Sequence, residues 1–212
     1  MENSSYICDN IKKHNGTMRN NSDIRNNAKE MLTGRWGMGA VIGLIILLIE
    51  SLVSDAGVLL VIFLYYPLSL GYALLFLHLC RSNELQLERL FGAFNSQYYL
   101  KSVTTGLLRG IYTFLWTLLL IVPGIIKSLA YSQAMYIIAD DPDISSEEAI
   151  NRSMDMMNGH KMQLFLMNLG ELGLMLLSAL LLFIPAIWII PYYQSAYAQF
   201  YLDLKQEYES RL

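Results

Sequence analysis

The sequence predicts an all-α polytopic membrane protein with six transmembrane helices arranged as three hairpins. Hydrophobic side chains make up 54% of the 212 residues, above the roughly 45–50% typical of soluble domains. Charged residues make up 16%, well below the average of roughly 25%. They cluster near the N-terminus and in two later blocks, which leaves long runs almost without charge. A water-soluble enzyme needs charge over every exposed helix face, so this distribution argues against one.

The first two spans are predicted at residues 37–53 and 58–80. The first contains a single charge, Glu50, and the second contains none. Each is long enough to cross about 30 Å of hydrocarbon at about 1.5 Å per residue. The short polar segment between them permits only an antiparallel hairpin. Pro67 lies inside the second span and is a candidate helix break.

Two longer apolar runs are each interrupted by a proline, which predicts a helix break in each. Pro123 and Gly124 divide the first run into spans at 106–122 and 125–139, because Pro lacks an N–H donor and Gly permits a turn. Pro185 divides the second run into spans at 164–183 and 186–202. The span at 125–139 is short, and two alternatives remain open for it: a full crossing or a re-entrant segment.

The distribution of positive charge predicts the orientation in the membrane. With six spans, all of the 15 Lys and Arg except Arg109 and Lys127 fall in segments on one side. Lys and Arg favour the cytoplasmic side, so both termini are expected there. The predicted organisation is a disordered, Asn-rich cytoplasmic tail at 1–22, a membrane domain at 23–205 and a cytoplasmic tail at 206–212.

An internal repeat is predicted with units at about 84–141 and 147–203. Leu118–Ile125 matches Leu180–Ile187 at a constant spacing that also pairs Tyr131 with Tyr193. Each unit would contain a cytoplasmic amphipathic helix and a proline-broken hairpin. Two spans per unit preserve direction, so the repeats would be parallel. The alternative is that two apolar helices simply share a composition.

The two cytoplasmic helices are predicted from their apolar spacing. In the first, the apolar residues follow the helical i, i+3, i+4, i+7 pattern: Leu87, Leu90, Phe91 and Phe94. The second begins with a capping box of Ser145 and Glu148, and its apolar face consists of Ala149, Ser153, Met154 and Met157. Two alternatives remain for these faces: contact with lipid headgroups or packing against the hairpins.

The sequence contains no recognisable catalytic or ligand-binding motif. The three His residues share no metal-ligand spacing, and protease, esterase and phosphate-loop motifs are absent. The net charge of -3 gives no basic bias for nucleic acid. We therefore expect no catalytic residue, no cofactor, no metal site and no nucleic-acid partner.

Charges inside the predicted spans are the strongest functional indication, because ionisable groups are costly in hydrocarbon. The four candidates are Glu50, Arg109, Lys127 and Glu171. Arg109 and Glu171 occupy equivalent positions in the two repeat units, so we predict an ion pair between them. The alternative is that Arg109 extends to the headgroups while Glu171 lines a hydrated crevice.

Six segments of the chain together carry a family resemblance: Ala28–Gly37, Leu115–Leu119, Val122–Lys127, Tyr131–Pro142, Ser153–Lys161 and Pro191–Tyr201. They resemble the DUF975 family, bacterial integral membrane proteins of unknown function. The resemblance covers about residues 23–205 and implies a multi-span protein of the bacterial cytoplasmic membrane with no assigned reaction. The layout is more distantly similar to the membrane domain attached to some glycerophosphodiester phosphodiesterases.

These observations predict a non-enzymatic membrane protein whose partners are membrane lipids and also other membrane proteins or a second copy of the chain. A small-solute transporter or channel is the alternative, since proline-broken spans and intramembrane charge are common around substrate sites. A lipid-modifying enzyme would need a cluster of Asp, His or Ser that the sequence does not supply.

Overall fold

The computed structural model describes residues 18–55 and 61–211, and in these residues the chain forms nine α-helices and no strand. The side chains of residues 50, 52–55 and 61 lie outside the description. The α-helices are α1 Asn21–Leu32, α2 Trp36–Asp55, α3 Tyr66–Ser82, α4 Ser96–Leu119, α5 Ile121–Ala130, α6 Ala134–Asp140, α7 Ser146–Met156, α8 Lys161–Leu180 and α9 Ala186–Glu209. A π-helical turn, Val61–Tyr65, precedes α3, and a 3-10 helix, Leu87–Phe94, precedes α4.

Three helical segments in the described residues are long and apolar enough to cross a membrane. They are Ile62–Ser82, Ile121–Asp140 and Lys161–Leu180. A fourth is added if Asn21–Leu32 and Trp36–Ile49, which meet at an angle of 106°, form one bent span. The all-helical class is therefore confirmed, and these segments suggest a membrane protein. The six spans, the three hairpins and the tandem repeat stay predictions.

The chain divides into two compact units. The terminal unit comprises the described residues within 1–51, 75–87 and 166–212, and the central unit comprises those within 52–74 and 88–165. α3 contributes to both units. Each unit has its own packing and is described separately.

In the terminal unit, Arg19, which lies two positions before α1, forms a buried ion pair with Asp203 of α9. Arg19 donates from Nε and Nη2 to the two carboxylate oxygens of Asp203, both at 2.7 Å, and the two side chains are 2% and 4% exposed. The backbone N–H of Met18 donates to Glu207 at 3.0 Å, and Asn20 caps α1 by accepting from Asp23 N. The disordered tail predicted at 1–22 therefore ends earlier, because residues 18–22 belong to this packing. Residues 1–17 lie outside the described residues.

α2 and α9 approach closely at the turn of α9 that precedes Pro191. Pro191 lies inside α9 and supplies no N–H to the carbonyl of Ile187, four residues earlier. A Cβ on Gly43 would lie 2.0 Å from that carbonyl oxygen, and one on Gly39 would lie 3.6 Å from Pro191 Cγ. The two glycines, four residues apart, form the small-xxx-small pattern that lets membrane helices pack backbone to backbone. This pattern is visible in the sequence, but its partner is not.

In the central unit, α4 and α5 form a hairpin whose break lies at Leu120 rather than at Pro123. Leu120 is extended, with φ -160° and ψ 139°. Pro123 falls in the first turn of α5, where a missing N–H removes no helical hydrogen bond. Gly124 faces α4, since a Cβ there would lie 2.2 Å from Thr117 Oγ1. The predicted segment 125–139 is also divided, into α5 and α6.

The other two prolines behave differently from each other. α8 ends at Leu180 and α9 begins at Ala186, and Pro185 occupies the N-cap position of α9. Leu182 and Phe183 in this turn have left-handed φ values of 55° and 60°, a conformation that strains side chains with a Cβ. Pro67 is the second residue of α3. It follows the π-helical turn and tolerates the loss of its N–H there, so it does not interrupt α3.

The first predicted amphipathic helix adopts a 3-10 conformation, which changes its buried face. Leu90 and Ala93, three residues apart, are fully buried, whereas Phe91 and Phe94 are 49% and 38% exposed. A 3-10 helix has three residues per turn, so the α-helical face predicted with Phe91 and Phe94 does not form. The carbonyl of Leu90 lies against Gly71 of α3, where a Cβ would approach it to 1.9 Å.

The second amphipathic helix, α7, has the predicted cap and packs against protein. Ser145 accepts a hydrogen bond from Glu148 N, and Ala149, Ser153 and Met157 are fully buried. Ile150 of the same helix belongs to a cluster with Tyr131. Of the two alternatives for this face, packing within the protein is the one observed.

Candidate functional site

The central unit contains a cavity of about 430 Å³ between the first turn of α3 and the α4–α5 hairpin. Its lining combines one cation with several hydroxyl groups and few other polar atoms. The polar lining residues are Tyr65, Tyr66, Ser69, Arg109, Thr113, Thr117 and Ser128. A guanidinium surrounded by hydroxyl groups is the composition expected of a site for an anion.

Two glycines of α4 position Arg109 beside Tyr66. A Cβ on Gly106 would lie 2.2 Å from Tyr66 Cγ, and one on Gly110 would lie 3.2 Å from Tyr66 Oη. The Tyr66 ring therefore lies directly on the α4 backbone. The side chain of Arg109, between the two glycines in sequence, lines the cavity at the edge of this contact.

Three donors that line this cavity, Arg109, Tyr66 and Thr113, have no hydrogen-bond partner among the described residues of the central unit. Among its described residues, Arg109 forms neither a hydrogen bond nor an ion pair, and the hydroxyls of Tyr66 and Thr113 donate no hydrogen bond. In contrast, Ser69, Thr117 and Ser128 each donate to a backbone carbonyl of their own helix at 2.8 Å. A partly buried cation without a partner is costly, so an anion that enters the cavity gains the full interaction.

The second cation of the hairpin is in a different environment. Lys127 Nζ lies 5.0 Å from the centre of the Trp116 ring, a cation–π contact between α5 and α4. Lys127 does not line the cavity. It therefore provides a matched control for charge removal at Arg109.

Glu171 lies on α8 in the terminal unit and has a partner on α9. Tyr197 Oη is 2.5 Å from Glu171 Oε2 and 2.8 Å from Asn168 Oδ1. Arg109 belongs to the central unit, so the ion pair between Arg109 and Glu171 stays a prediction. The side chain of Glu50 lies outside the described residues. No pattern in the sequence indicates that Tyr197 contacts Glu171, because tyrosines near span ends are ordinarily interfacial.

Both proline-containing turns expose an uninterrupted apolar surface. At the α4–α5 turn the exposed fractions run from 63% at Leu120 to 73% at Leu118, and at the α8–α9 turn from 57% at Phe183 to 84% at Leu182. Leu120 N donates to Trp116 O and Phe183 N donates to Ser178 O, while Pro123 and Pro185 have no N–H. In hydrocarbon there is no water to accept a hydrogen bond from a backbone N–H, so each N–H needs an acceptor within the protein.

In the part of the chain that the structure describes, no three His, Cys, Asp or Glu residues are arranged to hold a metal ion. A family model described as "Protein of unknown function (DUF975)" matches residues 18–129 and 117–208. No curated protein and no solved structure matches the chain.

Proposed function

We propose that this chain, which belongs to the DUF975 family of proteins of unknown function, is a non-enzymatic integral membrane protein of the bacterial cytoplasmic membrane. It acts through contacts with lipids and with other membrane proteins or a second copy of itself. The observation that supports this proposal is the apolar surface of the two turns. Each turn contains five consecutive residues, 118–122 and 180–184, whose side chains are all more than half exposed.

The size of this surface argues for hydrocarbon around it. Burying a large apolar side chain is worth about 1.5–3 kcal/mol, so ten side chains roughly two-thirds exposed represent on the order of 10–20 kcal/mol. That equals or exceeds the whole stability of a typical domain, about 5–15 kcal/mol. Contact with lipid removes the free-energy cost of exposing these ten side chains to water.

The ion pair in the terminal unit supports placing both termini on one side of the membrane. Arg19 precedes α1 and Asp203 lies near the end of α9, and they are in direct contact. The beginning and end of the membrane domain therefore lie together, as the proposed even number of crossings predicts. The concentration of Lys and Arg outside the spans favours the cytoplasmic side.

The proposal is tested by measuring the depth of the turns in a bilayer. Single cysteines at Leu120 and Leu182, in a chain in which Cys8 and Cys80 are replaced by serine, are labelled with bimane in liposomes. Brominated acyl chains are expected to quench both labels, and aqueous iodide is expected to quench neither. A label at Asn151, an exposed residue of α7, is the control and should show the reverse. Iodide quenching of both turn labels would contradict the proposal.

A small-solute transporter is the second candidate, favoured by the hydroxyl-lined cavity beside Arg109 and by the position of Pro191 inside α9. It predicts solute uptake by proteoliposomes that disappears in the Arg109→Gln variant. Uptake of that kind would replace the non-transporting role proposed above. Absence of uptake over a panel of anions and cations would remove this candidate.

A further inference from the structure

We infer that the Arg109 cavity binds the phosphate group of an anionic phospholipid. This inference rests on the proposed membrane location and adds a ligand class and a site to it. Three observations support this inference. They are the dimensions of the hairpin, the cavity donors without a hydrogen-bond partner, and an apolar groove that adjoins the cavity.

The dimensions of the hairpin place Arg109 at headgroup depth if the apolar turn reaches the bilayer centre. Ten residues separate Arg109 from Leu119 at the end of α4, which corresponds to about 15 Å along the helix axis. α5 has 10 residues and is also about 15 Å long. Half of the hydrocarbon thickness is about 15 Å as well. Both arms of the hairpin therefore fit one leaflet, and a re-entrant α5 agrees with one of the two alternatives for 125–139.

The aromatic residues at the open end of the hairpin agree with this depth. Tyr112 and Tyr131 lie on the two arms with ring centres 6.1 Å apart. Tyrosine is enriched where hydrocarbon meets the headgroups. These rings lie near the level of Arg109, far from the apolar turn.

The chemistry of the cavity suits a phosphate monoanion. A guanidinium donates two parallel hydrogen bonds to phosphate oxygens, and its weak hydration lowers the cost of leaving water. The hydroxyls of Tyr66 and Thr113 are the additional donors without partners in the central unit. A volume of about 430 Å³ falls within the range of small-molecule sites.

A lipid is favoured over free phosphate because an apolar groove adjoins the cavity. This groove, about 530 Å³, is lined by residues 117–123 and shares Thr117 with the cavity. Phe114, which also lines the cavity, is 66% exposed. A headgroup in the cavity would thus have an apolar path toward the turn for an acyl chain.

The test is native mass spectrometry of the full-length chain in detergent, titrated with phosphatidylglycerol, with phosphatidylcholine and with inorganic phosphate as a competitor. The wild type is expected to retain phosphatidylglycerol, and Arg109→Gln is expected to weaken its binding tenfold or more, as for loss of a hydrogen-bonded charge. Lys127→Gln is the matched control and should bind as the wild type does. Arg109→Lys should fall between, because an ammonium cannot form the bidentate contact.

Several results would overturn the inference. Equal binding by Arg109→Gln and the wild type would show that the cavity is not the site. Complete displacement by millimolar inorganic phosphate would assign it to a soluble anion instead. If Arg109→Glu and Glu171→Arg each abolish folding and the double swap restores it, Arg109 serves the predicted ion pair.

If Arg109→Gln does not fold, a second variant tests whether the cavity binds the lipid. Tyr66→Phe combined with Thr113→Val keeps the charge and removes the two free hydroxyls. It should weaken phosphatidylglycerol binding several-fold, and unchanged binding would overturn the inference. Quenching by brominated lipid, measured on the same variants, reports membrane insertion separately, so a failure of the membrane proposal is distinguishable from a failure of this site.

Discussion

Replacing Gly43 with alanine should destabilise the terminal unit, although alanine is the better helix former. The added Cβ would lie 2.0 Å from the carbonyl oxygen of Ile187, whereas carbon and oxygen in a close Cα–H···O contact are separated by about 3.3–3.6 Å. α2 and α9 must therefore move apart by about 1.3 Å. The obstacle is backbone, which cannot rotate away as a side chain can.

The magnitude follows from two opposing contributions. Overpacking typically costs about 1–3 kcal/mol, and replacing a helical glycine with alanine gains up to about 1 kcal/mol. Because the obstacle is backbone, we take the upper part of the cost, about 2–3 kcal/mol, and expect a net loss of about 1–2 kcal/mol for Gly43→Ala. Gly173 of α8 has no atom within 4 Å of its virtual Cβ, so Gly173→Ala should keep the gain and stabilise the protein by about 0.5–1 kcal/mol.

The assay is thermal unfolding in detergent followed by tryptophan fluorescence, for which Trp36 in α2 and Trp188 in α9 are native reporters. One kcal/mol shifts the midpoint by roughly 2–4 °C in a chain of this size. Gly43→Ala should thus lower the midpoint by about 2–8 °C, and Gly173→Ala should raise it by a few degrees. A Gly43→Ala midpoint at or above the wild-type value would refute the close approach of α2 to the Ile187 carbonyl of α9.

Three further predictions concern polar and apolar contacts in the two units. Asp203→Asn removes the buried carboxylate charge that accepts two hydrogen bonds from Arg19 and should cost about 3–5 kcal/mol in the same melting assay, and Arg19→Leu with Asp203→Leu should recover most of it; equal losses in both variants would be inconsistent with a buried pair. Ser153→Ala removes the hydroxyl that donates to Ala130 O at 2.7 Å and accepts from Gln133 N at 3.1 Å, which should cost about 1–3 kcal/mol, while Ser128→Ala, which removes only a bond to Ile125 O in the same helix, should change the midpoint little. Leu120→Asp places a charge at the apolar turn and should weaken insertion by about 2.5–3.5 kcal/mol, seen as release from membranes at alkaline pH, whereas Asn151→Asp should leave the protein in the membrane pellet.

Local patterns in the sequence predicted the helical segments and some of their ends. The Ser145 cap and the break next to Pro185 depend on groups within a few residues, so composition and spacing indicate them. At Pro123 the local pattern alone did not predict where the helix breaks. A proline is compatible both with a break and with the first turn of a helix, and the extended conformation of Leu120 three residues earlier decides between them.

The candidate site could be predicted only in part. Arg109 stands out in the sequence because charge is costly in an apolar run. Tyr66 and Thr113 do not, since a tyrosine or threonine in a helix has no distinctive local signal. Their role depends on Gly106 and Gly110, which let α4 lie directly on the Tyr66 ring.

The sequence by itself determined that the chain is helical, that most of its positive charge lies outside the long apolar runs and that its turns are apolar, because these properties are carried by individual residues and by their spacing. Only the tertiary structure decided that Arg19 meets Asp203, that Gly43 meets the carbonyl freed by Pro191, and that Arg109 lines a cavity beside Tyr66. The physical reason is distance along the chain. Contacts between residues tens to hundreds of positions apart depend on how whole helices pack, and helical periodicity specifies a face without specifying what covers it.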